Sequence, residues 1–358
     1  MDGPAERRVD AWPGLATFSS RALGSALRLF VRQPAGPDAT ASGATAEAAW
    51  AAVQGEFAAV DAALSRFRDD SELTALNRRA GTGGVALVSW RLRTMLAAVD
   101  RAARITDGRF DASVLDALEQ IGERGATLAG APLGWAPVGE RAPSSRAPGP
   151  TTARDGLAND RVQVVAPGTP RASLVEIPAR PIDSGGIGKG LALRWASAAA
   201  IAALPEGAGL LIDAGGDISS AGAPPSGGWR IGVDDPVAPA GPAPAPLAVY
   251  ALDAGGVSTS SVAVRHWTGP DGRLVHHLVD PRTRQPARTG LIAVSVAGPD
   301  PAWNEVWSKA LFLGGSEAIG EEGRRRGLPV WWVTDRGRLG MTPEARARSV
   351  WVAEERVE

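Results

Sequence analysis

Helical and strand-like patterns occupy different parts of this 358-residue chain. From Trp50 to Phe67, apolar residues recur at alternating spacings of three and four, which predicts one face of a helix of about five turns. A similar pattern over Leu92–Ile105 predicts a second helix. After residue 209, short β-like runs are bounded by turn residues. Early helices and late strands together predict an α+β fold, with a largely antiparallel sheet flanked by helices.

Most of the chain is predicted to form one domain, over residues 21–345. Residues 1–20 show no regular pattern and are expected to be irregular, and Leu23 to Arg32 reads as the first strand. Residues 122–160 are rich in Gly, Pro, Ser and Arg, which predicts a low-complexity surface insertion. Residues 346–358 are expected to be a C-terminal tail.

The stretch Pro181–Trp195, PIDSGGIGKGLALRW, places glycines, an acid and a lysine at the start of a predicted helix. Glycine lets the backbone turn sharply or approach a ligand closely, and the free N–H groups of a helix start favour phosphate. Lys189 adds a mobile positive charge and Asp183 a carboxylate. The stretch therefore predicts a phosphate-binding loop, although a tight strand-to-helix connection with an incidental lysine fits equally well. The spacing matches neither the Walker loop nor G-x-G-x-x-G.

Composition excludes several classes of protein. A net charge of -1 argues against nucleic-acid binding, and the absence of cysteine excludes thiol catalysis and disulfides. No signal peptide and no apolar run long enough for a transmembrane helix is recognised, so a cytoplasmic location is expected. Among 38 basic residues only Lys189 and Lys309 are lysines, and both fall in stretches singled out on other grounds.

Three further motifs carry candidate polar groups. Asp217 follows two glycines after a strand, where a structural turn is the more common role. His276 and His277 are expected to point to opposite faces of a strand, so at most one of them faces a given site, as a general base or as a plain hydrogen-bonding residue. Glu305 and Lys309 are spaced i,i+4 on a predicted helix, which is also the spacing of an ordinary salt bridge.

The order of the motifs is more specific than any one of them. The chain contains in succession RFRDDSELTALN, DGRFDASV, IDSGGIGKG, LIDAGGDISSAG, WRIGVDDP, VSTSS and HHLVDPRTRQP, followed by a late helix ending ALFLGG. This series, over roughly residues 20 to 345, resembles the ApbE family, the FAD:protein FMN transferases. The resemblance implies an α+β, T-fold-like architecture. It also implies transfer of FMN from FAD to a threonine hydroxyl of a partner protein, with magnesium at the FAD pyrophosphate and release of AMP.

The resemblance also assigns site residues position by position. His277, in the H-x-x-D-P motif, matches the catalytic base, with Lys189 and Asp183 as further catalytic candidates. Expected FAD contacts are Leu23, Phe67, Arg109, Phe110, Asp111, Asp183, Lys189 and Val279. The expected magnesium site comprises Gly186, Glu305 and Lys309.

Several positions depart from the family pattern. Glu305 replaces the usual aspartate of the late helix, and Lys309 replaces a threonine that ligates the metal. Glycines and an acid are also lost in Thr259-Ser260-Ser261-Val262 and in Asp280–Arg284. Three hypotheses follow: an active magnesium-dependent transferase, a non-catalytic FAD-binding homologue, or a variant in which the Lys309 ammonium replaces magnesium.

A near-match to the acceptor pattern D-x-x-[ST]-G-A-[ST] occurs at residues 38–46, within a predicted loop over residues 33–46. It raises Thr45 as a site of self-modification. Loops rich in Ala, Ser, Thr and Gly also produce such near-matches through composition alone.

Overall fold

A computed structural model describes residues 15–34, 39–123, 164–166, 172–238 and 245–358, without the side chains of 39–44 and 164–166. The insertion predicted at 122–160 therefore lies outside the described residues, except for its first two positions.

The helices in the described part of the chain fall into an early and a late group. Their bounds are α1 Ala39–Leu64, α2 Glu72–Asn77, α3 Trp90–Ile105, α4 Leu115–Gln120, α5 Gly188–Ala202, α6 Pro301–Gly314, α7 Ile319–Arg325 and α8 Pro343–Arg348, with a 3₁₀ turn at Glu354–Arg356.

Most strands of the described residues follow α5. Their bounds are β1 Leu15–Ala22, β2 Ser25–Arg32, β3 Val85–Ser89, β4 Val164–Ala166, β5 Ala172–Glu176, β6 Gly209–Ala214, β7 Asp217–Gly222, β8 Trp229–Val233, β9 Ala248–Leu252, β10 Gly255–Ser261, β11 His266–Thr268, β12 Leu274–His276, β13 Val279–Asp280, β14 Gln285–Pro286, β15 Leu291–Gly298, β16 Val330–Thr334, β17 Leu339–Met341 and β18 Ser349–Val352.

An eight-stranded antiparallel sheet forms the centre of the molecule, in the order β1-β2-β6-β7-β10-β15-β16-β17. Smaller sheets are β3-β5-β4 and β18-β9-β8, with two-stranded pairs β11-β12 and β13-β14. This arrangement confirms the predicted α+β class with a largely antiparallel sheet.

The two faces of the large sheet have different partners because successive side chains of a strand point to opposite sides. On β2 and β6, Leu29 and Ile212 belong to a core with the helices α1, α3 and α5, whereas Leu211 faces the other side. That other side packs against the sheet β18-β9-β8, where Tyr250 stacks on Trp331 at 4.4 Å between ring centroids. A third core joins α6 and α7 to β15 and β16.

The structure corrects both ends of the predicted domain. Residues 15–20, predicted to be irregular, form most of β1, which pairs along its whole length with β2. Residues 346–358, predicted to be a tail, include β18, which pairs with β9 and so completes the small sheet. Both segments are strands because each pairs with a neighbouring strand. A local sequence pattern carries no information about that pairing.

The first long helix is also shifted relative to the prediction. It begins at Ala39, inside the predicted loop, and ends at Leu64, before Phe67. Thr45 therefore lies on a helix, where it is half-buried, and not on an accessible loop. Asp38, the acid of the acceptor-like pattern, lies outside the described residues.

None of the helices that the structure describes combines the length and the apolar character that a membrane span requires.

Candidate functional site

A large cleft begins at the glycine-rich loop and extends between the central sheet and the sheet β18-β9-β8. Its volume is about 2280 Å³, which exceeds the roughly 300–1,000 Å³ of common ligand sites and is ample for a dinucleotide. Residues from the β1–β2 turn, the start of α5, β7, β10 and α6 line it. A small pocket of about 70 Å³ adjoins the cleft and shares Arg66, Phe67, His277 and Lys309 with it.

The glycines of the loop allow α5 to begin in close contact with its neighbours. A Cβ on Gly186 would lie 2.6 Å from Phe110 Cε2 and 3.0 Å from Lys309 Cε. A Cβ on Gly190 would lie 2.5 Å from the Ala302 Cα, where α5 crosses α6. These distances are shorter than real side chains tolerate, so glycine at both positions brings the loop against α6.

Lys189 and Asp217 form an ion pair across the cleft between α5 and β7. Asp217 is buried, and its second oxygen accepts a hydrogen bond from the Thr259 N–H at 3.1 Å. Burial lowers the pKa of Lys189, but the carboxylates of Asp217 and Glu305 outweigh it and raise that pKa above its ordinary value. Lys189 is therefore protonated at neutral pH.

Glu305 is buried on α6, and its Oε2 accepts a hydrogen bond from the Gly190 N–H at 2.8 Å. Burial and the neighbouring Asp217 carboxylate raise the pKa of Glu305 to about 7, against the opposing influence of Lys189 and Lys309. Glu305 does not form the helix salt bridge that its i,i+4 spacing to Lys309 suggested, since no ion pair joins these two side chains.

Lys309 lies one turn further along α6 and lines both the cleft and the adjoining pocket. Its aliphatic chain passes over Gly186. Burial and then the charge of Lys189 lower the pKa of Lys309, while Glu305 and Asp183 act in the opposite direction.

His277 lies between β12 and β13 and lines the cleft. Its Nδ1 is 3.2 Å from the carbonyl oxygen of Arg265. A carbonyl accepts but cannot donate, so this contact assigns the proton to Nδ1 and leaves the Nε2 lone pair as the basic site. Burial, together with the charges of Lys309 and Arg265, holds the pKa of His277 well below its usual value, so the ring is neutral at pH 7.

His276 faces elsewhere, as the strand pattern predicted. Its Nε2 donates to the Ala287 carbonyl at 3.0 Å, and its Nδ1 accepts from the Leu278 N–H at 3.3 Å. Both nitrogens are thus used by the backbone, and His276 does not line the cleft.

Asp183 belongs to a network of charged residues at the end of α1. The Arg66 Nε lies 2.6 Å from Asp183 Oδ1, and Arg66 Nη2 lies 3.3 Å from Glu123 Oε2. Arg265 pairs with the other oxygen of Glu123. The second oxygen of Asp183 accepts from the Gly185 N–H at 3.1 Å, which fixes the turn of the loop.

The expected FAD contacts divide into two groups. The first group lines the cleft and comprises Leu23, Phe67 and Lys189. Asp183 belongs with it but lines the adjoining pocket. Phe67 is 55% exposed and stacks under the Arg66 guanidinium at 4.1 Å from the ring centroid. It offers a free aromatic surface at the cleft.

The second group, Arg109, Phe110, Asp111 and Val279, lines the small pocket. There Phe110 is buried against Gly186, and Arg109 pairs with Glu322 of α7. Asp111 accepts from the N–H and hydroxyl of Ser113, both at 2.8 Å, and does not cap α4, whose N-cap residue is Val114.

Sequence reasoning missed several charged members of the site. Asp217 had been considered chiefly as a turn residue, yet it is the partner of Lys189. Arg66 lay within the quoted motif RFRDD but received no role. Glu123 and Arg265 carried no local signal, because their connection to Asp183 runs through contacts between residues far apart in sequence.

The residues expected to hold magnesium do not fit that ion. Mg²⁺ prefers a near-octahedral shell of oxygen ligands, and a protonated ammonium would repel it. The Lys309 side chain lies directly against Gly186, which is another of the expected ligand positions. Among the described residues, no group of three or more His, Cys, Asp or Glu side chains is arranged to hold a metal ion.

The fold and the site define an α+β protein with a cleft built on a glycine-rich loop, a paired lysine and a neutral histidine. Comparison with known sequences agrees, since the model of the ApbE family matches residues 25–329. The chain belongs to the ApbE family.

Curated relatives in this family are moderately similar. An FAD:protein FMN transferase of Klebsiella pneumoniae (strain 342) is 28% identical over 314 residues, which cover 85% of this chain and 82% of that protein. The FAD:protein FMN transferase of Escherichia coli (strain K12) is 29% identical over 179 residues. That alignment covers 48% of each protein, so the chain spans about half the length of the first curated relatives it matches.

Solved structures show the same fold. The ApbE protein of Thermotoga maritima superimposes with a TM-score of 0.71 at 22% identity, over 94% of this chain and all (100%) of the other. The flavinyl transferase ApbE of Pseudomonas stutzeri, in its apo form, gives a TM-score of 0.67 at 22% identity, over 97% and 98% of the two chains.

Proposed function

We propose that this protein transfers the FMN moiety of FAD to a threonine hydroxyl of an acceptor protein and releases AMP. Two findings support the proposal. The curated relatives are named FAD:protein FMN transferases. The cleft also presents a neutral histidine beside a lysine-bearing, glycine-rich helix start, and this juxtaposition is the observation that carries the proposal.

The reaction exchanges a phosphoanhydride bond for a phosphoester bond. The threonine oxygen attacks the phosphorus on the FMN side of the pyrophosphate, and a new P–O bond forms. The bond from that phosphorus to the bridging oxygen breaks, and AMP leaves with the bridging oxygen. The hydroxyl proton passes to Nε2 of His277, which is free to accept it because Nδ1 carries the other proton.

The remaining residues bind and orient. The exposed face of Phe67 offers a stacking surface for an aromatic ring of FAD. Lys189, held in place by Asp217, presents a positive charge to the diphosphate. Asp183 sets the shape of the loop through the Gly185 N–H.

The second candidate function is that of an FAD-binding protein without transferase activity. The observation that favours it is Lys309, which stands where the family's pattern has a metal-ligating threonine. In this case FAD binds the cleft and stays intact.

The test is release of AMP from FAD by the purified protein in the presence of a threonine-bearing acceptor. The reaction is run with magnesium and with EDTA, and the intact mass of the acceptor is recorded. AMP together with an acceptor heavier by one FMN supports the transferase. FAD that binds but yields no AMP under either condition contradicts it and supports the binding protein.

The same mass measurement addresses Thr45. Incubation with FAD alone should leave the mass of the chain unchanged, because Thr45 is half-buried on α1.

A further inference from the structure

We propose that the Lys309 ammonium takes the place of a divalent cation and binds the diphosphate of the substrate directly, so that this chain binds its dinucleotide without metal. The inference rests on the proposed function for the identity of the substrate.

The first observation is the position of the ammonium. Lys309 extends from α6 over Gly186 and lines the cleft together with His277, Lys189 and Glu305. Lys309 therefore presents a positive charge to the same cleft as the start of α5 and the proposed base.

The second observation is that Lys309 has no counterion in the described part of the chain, whereas the other basic residues of the cluster do. Lys189 pairs with Asp217, Arg66 with Asp183 and Glu123, and Arg265 with Glu123. The nearest candidate on its own helix, Glu305, accepts a hydrogen bond from Gly190 instead. A half-buried ammonium without a partner is costly, so a ligand anion that pairs with it gains binding free energy.

The third observation is the charge balance of the cluster. Its acidic side chains are Asp183, Asp217, Glu305 and Glu123, and its basic side chains are Lys189, Lys309, Arg66 and Arg265. The two sets are equal in number, so the cluster has no surplus of acidic side chains to attract a divalent cation. A threonine in place of Lys309 would leave a surplus of one acid and restore a hydroxyl ligand beside Glu305.

The chemistry of the ligand follows from these features. A diphosphate bears oxygens that accept charge-assisted hydrogen bonds, and lysine binds phosphate as a compact point charge. The ammonium carries half the charge of Mg²⁺, and Lys189 adds a second positive charge to the same cleft.

The first experiment uses the wild-type protein. Binding of FAD, and of ADP as a probe that lacks the flavin, is measured by isothermal titration calorimetry in EDTA and in magnesium. We expect the two Kd values to agree within about twofold. A Kd that rises tenfold or more in EDTA would overturn the inference. A Mn²⁺ titration followed by EPR, with and without ADP, gives a reading independent of any variant, and a stoichiometric Mn²⁺ site would also overturn it.

The second experiment uses two substitutions at one position. Lys309→Met keeps the length of the side chain without its charge, and metal-free ADP affinity should fall at least tenfold. Lys309→Thr should lose the same affinity in EDTA, regain it in magnesium and acquire a Mn²⁺ site. Arg104→Met, which removes an exposed charge on α3, is the matched control and should bind like wild type. Unchanged metal-free binding by Lys309→Met contradicts the inference.

These readings separate the inference from the proposed transferase activity. If no AMP forms, yet binding is metal-free and lost in Lys309→Met, the inference stands and the transferase proposal falls. If AMP forms solely with magnesium, the transferase stands and the inference falls.

Discussion

Two adjacent histidines show how one position along the chain changes the role of a side chain. His277 lines the cleft with one nitrogen committed to the Arg265 carbonyl, and His276 has both nitrogens bonded to the backbone. The alternation of side chains predicted that at most one of the two faces a given site, and the family resemblance selected His277. The pair supplies a catalytic test and its control within two residues.

His277→Gln should reduce AMP formation by about 10²–10⁴-fold, the usual contribution of a general base, because the threonine proton loses its acceptor. Affinity for FAD should stay within a few-fold, since the substitution removes no ligand charge. His276→Gln is the control and should retain most of the rate. Initial rates at pH 7.5 measure the effect, and a His277→Gln variant that turns over like wild type would contradict the assigned role.

His276 also makes stability depend on pH. Burial, opposed by the bond to Ala287, lowers the pKa of His276 from 6.5 to about 4 in the folded protein. Between these values the unfolded chain is protonated and the folded one is not, so stability falls as the pH drops. At pH 5 the loss from this group is about 2 kcal/mol relative to pH 7. Urea unfolding at both pH values should show a smaller loss for His276→Gln than for wild type, and equal losses would contradict the prediction.

At the scale of elements, the crossing of α5 and α6 brings the site together. Lys189 and Glu305 lie on different helices, and their approach depends on the absence of a side chain at Gly190. The glycines of the loop were predictable as positions of tight turning. Their role in helix contact was not, because the partner α6 lies more than a hundred residues away in sequence.

Gly190→Ala should destabilise the protein by about 1–3 kcal/mol or more, as overpacking against a neighbouring backbone does. The new Cβ would meet the Ala302 Cα at 2.5 Å and the Pro301 carbonyl oxygen at 2.6 Å. Gly55→Ala, on the exposed side of α1 with no atom within 4 Å, is the control. It should stabilise by about 0.5–1 kcal/mol because alanine favours helix. Urea midpoints compare the two, and a tolerated Gly190→Ala would show that α5 and α6 can separate.

At the scale of the whole molecule, local patterns predicted the fold class and most elements after residue 45. The strand β1 escaped prediction because its sequence, LATFSSRA, lacks a clear alternation, and the β1–β2 turn uses Leu23 at a φ of 48°. The strand β18 in the predicted tail was not identified because it is defined by its pairing with β9. Three parts of the candidate site were identified from the sequence: the glycine-rich loop, His277 and the late helix. Its ion pairs were not, because each joins distant segments.

One of these ion-pair networks connects four separate segments of the chain. Arg66 follows α1, Asp183 begins the glycine-rich loop, Glu123 follows α4, and Arg265 precedes β11. The Arg66 side chain is 8% exposed and that of Glu123 is 2% exposed, so these charges are shielded from solvent. Removing a single partner from such a network leaves an uncompensated buried charge, which is the expensive case for an ion pair.

Arg66→Met should therefore lower the free energy of unfolding by about 3–5 kcal/mol, chiefly because Asp183 loses its partner. Arg104→Met makes the same chemical change in an exposed i,i+4 pair with Asp100 and should cost no more than about 0.5 kcal/mol. The free energy of unfolding of both variants is measured in urea at pH 7. One m-value is used for both, so that their unfolding midpoints compare directly. The larger effect should shrink when Asp183→Asn is added, because the second substitution removes the charge left behind. If Arg66→Met proves as mild as Arg104→Met, the network does not hold the four segments together, and the loop must be fixed by the contacts of Gly186 and Gly190 alone.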